Sequence, residues 1–120
     1  MGHEMTHAFD DEGSQHDAYG NLHDWWDKDV KKKFKKRAQC FVDQYENIEV
    51  AGTNLSINGK LTQAENIADN GGVKQAYKAY KTYLKRHGGK EPRLKGLEKY
   101  NNDQMFFLGY AQVTFTRNGS

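Results

Sequence analysis

Read from its start, the chain alternates between stretches with a helical apolar period and polar stretches without one. Val30, Phe34, Ala38, Phe41, Val42 and Tyr45 recur mostly three and four residues apart, the stripe of a one-sided helix. This spacing predicts a long helix starting at Trp25 or Trp26, with Asp24 as N-cap and Asp27 and Asp29 favoured by the macrodipole. Lys31-Lys32-Lys33 and Lys35-Lys36-Arg37 fill the other faces and read as a solvated surface. A second stripe, Ile67, Val73, Ala76, Tyr77, Tyr80, Tyr83 and Leu84, predicts another long helix, opened by Thr62 in a capping box with Glu65. Asn70-Gly71-Gly72 interrupts it. Two glycines inside a helix cost about 1 kcal/mol each relative to Ala, tolerable where another backbone or a ligand must come close. From Asp103 onward, Met105 through Val113 is apolar nearly all round, which predicts a buried helix.

The intervening stretches are short. Residues 2–9 predict a small helix packing through Met5, Ala8 and Phe9, with Gly13 at its exit available for a positive φ. Tyr19-Gly20-Asn21 reads as a turn. Ile48, Val50, Leu55 and Ile57 predict two short strands or an irregular hairpin near residues 47–58. His87-Gly88-Gly89 ends the second long helix and Pro92 prevents its early restart. The expected fold class is therefore mainly α, three to four helices with one short β-hairpin.

Composition narrows the picture. A chain of 120 residues suits one small domain, and 36% hydrophobic residues allow only a thin core. A formal net charge of +2 gives no argument for nucleic acid as a partner. The single cysteine, Cys40, has no internal partner; it reads as a partly buried thiol or as half of a disulfide completed outside this chain. No stretch approaches the roughly 20 apolar residues of a membrane span, and no secretory signal opens the chain. Asn54-Leu55-Ser56 and Asn118-Gly119-Ser120 match the glycosylation sequon.

The chemistry concentrates at His3-Glu4-Met5-Thr6-His7. On a helix, His3 and His7 share one face about 6 Å apart along the axis, and two imidazoles can converge on one zinc ion at about 2.0–2.1 Å each. Glu4 points partly off that face, towards the water of an open zinc position. This is the H-E-x-x-H pattern of zinc peptidases. A catalytic zinc needs a third protein ligand. The metzincin pattern would require Gly at position 10 and His at 13, where this chain has Asp10 and Gly13. The alternative is a Glu on a later helix, and Glu65 is the best candidate. Asp69 shares its helical face and can accept a hydrogen bond from a ligand histidine, fixing its tautomer. His16 and His23 read as solvated loop residues.

These residues carry a resemblance. Gly2-His3-Glu4-Met5-Thr6-His7-Ala8-Phe9-Asp10-Asp11, Glu65-Asn66-Ile67-Ala68-Asp69-Asn70-Gly71-Gly72 and Gln104 through Val113 resemble the catalytic segments of the neprilysin and endothelin-converting enzyme family of zinc endopeptidases. Gly20-Asn21-Leu22 with Trp25-Trp26, Gln39-Cys40, Gln44-Tyr45 and Ala76 through Tyr80 match in order between them. The resemblance implies a thermolysin-like (gluzincin) metal core with one zinc on His3, His7 and Glu65. It implies Glu4 as general base and Asp69 as an acidic residue behind the first histidine. It further implies peptide substrates cleaved before bulky apolar residues. The expected location is the outer face of the plasma membrane, or secretion. The sequence departs from the pattern at Ala64, where the family has Gly, and at Thr114-Phe115-Thr116, where it has Trp-Cys. On this reading residues 1–120 are a partial catalytic domain truncated at both ends. The remainder of the parent chain carries the oxyanion donor, the substrate clamp and the partner of Cys40. The competing expectation is a zinc-binding fragment without catalysis.

Overall fold

Asp27, rather than Asp24, opens the first long helix. The Val30 N–H donates to Asp27 Oδ1 at 2.9 Å, so the helix begins one turn later than the apolar stripe alone suggests. Asp24 instead accepts from Lys31 Nζ at 2.9 Å. The tryptophans stay outside the helix but pack onto it: Trp25 and Trp26 stand 4.9 Å apart, and Trp26 lies 5.4 Å from Phe34 on the stripe.

In the computed structural model, which describes residues 1–117 and side chains through Thr114, the elements are α1 (Gly2–His7), a 3-10 turn (Gly13–Gln15), α2 (Lys28–Glu46), α3 (Gln63–Arg86) and α4 (Asn102–Arg117). The chain is mainly helical, as its periodicities predict. The sequon at Asn118 lies outside the described residues, while Asn54 is exposed. The chain divides within α3 into two units, residues 1–72 and 73–120.

In the first unit, Ala38 and Val42 of α2 and Ile67 and Ala68 of α3 are buried. Phe34, Phe41 and Tyr45 are half-buried, as the stripe requires, whereas Val30 at its head is exposed. The expected hairpin reduces to one isolated antiparallel bridge, Glu49 with Ser56. Val50 N–H donates to the Leu55 carbonyl and Ile57 N–H to that of Ile48, but Val50 and Leu55 remain exposed. Without a face to bury, the alternating residues have nothing to extend the ladder. Cys40 is a free, exposed thiol, not a partly buried one; it lies off the stripe that α2 buries.

The capping box does not form. The Thr62 hydroxyl donates to the Asn58 carbonyl and accepts from the Asn66 side chain, which leaves Glu65 free for other partners. Gly13 has no positive φ; its lack of a side chain makes room for the His7 carbonyl. Gly20, in the predicted turn, does take a φ of +81°.

α1 is shorter than predicted, and its packing face is not the one expected. Met5 and Phe9 are exposed. The helix meets α3 through its small residues: a Cβ on Gly2 would lie 3.1 Å from the Gly72 Cα, and one on Gly71 would fall on the Thr6 side chain. Gly2, His3, Thr6 and His7 share one side of a 3.6-residue helix. Turning the histidines inward therefore turns Met5 and Phe9 out.

In the second unit, Leu84 is buried, and Phe106 packs on Tyr77 and Tyr80 at 5.3 and 5.4 Å between ring centroids. Lys81 bridges to Asp103 at 3.1 Å. α4 is not the buried helix its composition predicts. Phe107, Leu108 and Val113 are 48%, 46% and 60% exposed, although Phe107 also meets Tyr77 at 5.2 Å between ring centroids.

Two glycines in helices should respond oppositely to the same change. Gly72→Ala places a methyl 2.8 Å from the His3 backbone nitrogen, and such overpacking costs about 1–3 kcal/mol. Gly109→Ala, with nothing within 4 Å, should gain about 0.5–1 kcal/mol from the smaller unfolded-state entropy. Thermal unfolding should therefore show a lower Tm for the first variant and a higher one for the second.

Candidate metal centre

α1 and the N-terminal turns of α3 position the site, and both sets of predicted residues meet there. His3 Nε2 and His7 Nε2 approach to 2.9 Å, their rings nearly perpendicular. Glu65 reaches both: Oε2 lies 3.4 Å from His3 Nε2 and Oε1 3.6 Å from His7 Nε2. Each of the three residues offers one ligand atom, and those atoms all lie within 4.8 Å of one another. Ligands at about 2.05 Å in a tetrahedron stand about 3.3 Å apart, a separation that the 2.9 Å between the two Nε2 atoms and the 3.4 Å from His3 to Glu65 bracket.

The outward nitrogens say more. His3 Nδ1 lies 2.8 Å from Asp69 Oδ1, and His7 Nδ1 lies 2.6 Å from Asp10 Oδ2. A carboxylate only accepts, so both Nδ1 atoms carry the proton. The two Nε2 atoms then face each other at hydrogen-bond distance, an arrangement that either a shared proton or a metal cation between them satisfies. The donor set, two imidazoles and a carboxylate with hydrogen-bonded rings, is the kind that suits a divalent zinc.

Asp69 thus stands behind the first histidine. Asp10 stands behind the second, a role that sequence reasoning missed by reading it as a helix exit. Its signal was the His7-x-x-Asp10 spacing, three residues apart. Asp10 is 3% exposed, and its Oδ1 accepts from the Glu12 and Gly13 N–H groups at 2.8 and 2.7 Å. The loop after α1 therefore fixes the carboxylate before it meets His7. That hydrogen bond from His7 is the main influence raising the imidazole pKa, against the opposing effect of burial. Glu4 is exposed on the solvent side of α1. His16 and His23 are exposed as expected and take no part in the cluster.

A family model described as peptidase family M13 matches residues 1–120. The chain belongs to peptidase family M13. Among curated M13-like relatives, it is 60% identical over 113 residues to neprilysin-1 of Caenorhabditis elegans, a match covering 94% of this chain and 15% of that protein. It is 50% identical to human endothelin-converting enzyme 1, covering 94% of this chain and 14% of the other. Among solved structures it resembles the zinc metalloprotease ZMP1 of Mycobacterium tuberculosis, determined in complex with an inhibitor. That match has a TM-score of 0.79 and 34% identity over 93% of this chain and 17% of that one. The chain spans about 15% of the length of the curated relatives it matches.

If Asp10 holds His7 as a ligand, Asp10→Asn should leave the loop in place, since the amide oxygen can still accept from Gly13, while weakening the hold on the ring. Losing a partner of a ligand histidine typically costs about 10–100-fold in metal affinity. Competition against a chromophoric zinc chelator should register a loss in that range with unchanged helical circular dichroism.

Proposed function

We propose that residues 1–120 are part of the catalytic domain of a zinc metalloendopeptidase, with a thermolysin-like metal core in which His3, His7 and Glu65 hold one zinc ion. The observation that carries this reading is the convergence of two Nε2 atoms and the Glu65 carboxylate, with both Nδ1 protons held by carboxylates. A zinc bound there supplies Lewis acidity that polarises a peptide carbonyl and lowers the pKa of water. Glu4 follows the first ligand and points to solvent, where it takes the proton of the attacking water and passes it to the leaving amine. Asp69 and Asp10 keep the two imidazoles in the tautomer that leaves Nε2 free to ligate. Peptide substrates, with cleavage before bulky apolar residues, follow from the likeness to neprilysins and endothelin-converting enzymes. So does a place outside the cell, anchored or secreted, with Cys40 paired to a segment beyond these residues. No helix among the described residues is long and apolar enough to cross a membrane.

A second reading, zinc binding without catalysis by residues 1–120, has its own support. Glu65 is 66% exposed at the side chain and Glu4 is exposed, so no wall of these residues excludes water from the reacting atoms.

Metal analysis and a quenched-fluorescent peptide separate these readings. The purified chain should carry one zinc, and Glu65→Ala and His7→Ala should carry much less, a loss beyond the roughly 10–100-fold expected from a group that only orients a ligand; equal metal in all three rules out the ligand set. Cleavage that chelator abolishes, and that Glu4→Gln abolishes while retaining zinc, supports catalysis by this chain. Zinc without cleavage supports the second reading.

A further inference from the structure

The small net charge conceals a division. Residues 1–72 contain eight Lys and Arg against thirteen Asp and Glu, and residues 73–120 contain ten against three. Much of that excess lies on α3. From Val73 to Arg86 the helix has no acidic residue and five cations, of which, among the described residues, only Lys81 has a carboxylate partner, Asp103. Lys74, Lys78, Lys85 and Arg86 fall within a sector of about 120° over about 18 Å of helix. This sector faces away from Tyr77, Tyr80 and Leu84, which pack within the second unit. All four cations are exposed.

The same face is shaped. Lys78 and Arg86 line a cavity of about 500 Å³ with Ala79, Thr82 and Tyr83. Gln75 and His87 complete its mostly apolar lining, and long cationic side chains can lay their stems along such a surface while their charged heads stay in water. His87 stacks on Tyr83 at 4.2 Å and so occupies the ring face on which a nucleobase would otherwise stack. An apolar floor with a cationic rim suits a ligand that carries both characters. A sulfated polysaccharide has no apolar side chain to place there.

We propose that the Lys74–His87 face of α3 is a docking surface for an acidic peptide segment with interleaved apolar residues. Its carboxylates pair with Lys78 and Arg86, and an apolar side chain enters the space over Ala79 beside Tyr83. The proposal uses none of the zinc ligands, so it stands or falls apart from the peptidase reading. The test is fluorescence anisotropy of a labelled peptide of repeated Glu-Glu-Leu against the zinc-loaded chain. Lys78→Gln with Arg86→Gln should weaken binding roughly fivefold to tenfold, the range of two exposed ion pairs. Replacing Leu by Ser in the probe should weaken it further. Lys32→Gln with Lys33→Gln and Lys36→Gln, on the denser basic face of α2, should change nothing. An equal loss in the α2 variant, equal binding of the Ser probe, or tighter binding of a heparin fragment or oligonucleotide at the same α3 residues would each overturn the proposal.

Discussion

The metal cluster depends on how closely two helix backbones approach. α1 has six residues, too few to be stable as an isolated helix, and no residue of it is buried. What holds it is contact with α3 at Gly2 and Thr6 against Gly71 and Gly72. Side chains there would separate the axes, and the histidines would no longer reach Glu65. The helix-forming tendency lost at the two glycines, about 1 kcal/mol each, is thus offset in part by the hydrogen bond from His3 to Asp69 that close approach allows. Placing two carboxylates and two glycines on successive turns of α3 lets one helix present Glu65 to both histidines, Asp69 to His3 and the glycines to the α1 backbone.

Much of this was legible in the sequence, for a physical reason. Three of the four helices carry periodic apolar stripes or long apolar runs, and the clustered residues obey simple spacing: His3 and His7 four apart, Glu65 and Asp69 four apart. The Gly-Gly interruption left open a close backbone or a ligand, and the structure brings the α1 backbone to it. What could not be read was which partner satisfies a group with several options. Thr62 and Glu65 fit a capping box by spacing, but Glu65 lies beside two imidazoles and Thr62 turns to Asn58. Asp24 and Asp27 are both good caps; Lys31 engages one and leaves the other to the helix.

Burial was the other quantity that pattern alone did not decide. Met5, Phe9 and, in α4, Phe107, Leu108 and Val113 are hydrophobic enough for a core, yet they are exposed. A hydrophobic residue reports what it would gain by burial, not whether a surface stands opposite it. The same limit applies to Val50 and Leu55, which alternate like a strand but have no sheet or helix over them.

The spacing on α3 has a consequence for which changes of chain length the fold can accept. Glu65, Asp69 and Gly72 face α1 because each follows the last by three or four residues. One residue inserted between them rotates everything downstream by about 100°, so the carboxylates and the glycines would point in different directions. The stretch from Asn47 to Asn58 carries no such phase. It closes through one bridge, and lengthening a loop of that kind costs only a few tenths of a kcal/mol. Natural length variation in chains of this architecture should therefore gather between α2 and α3 and be absent from Glu65 to Gly72.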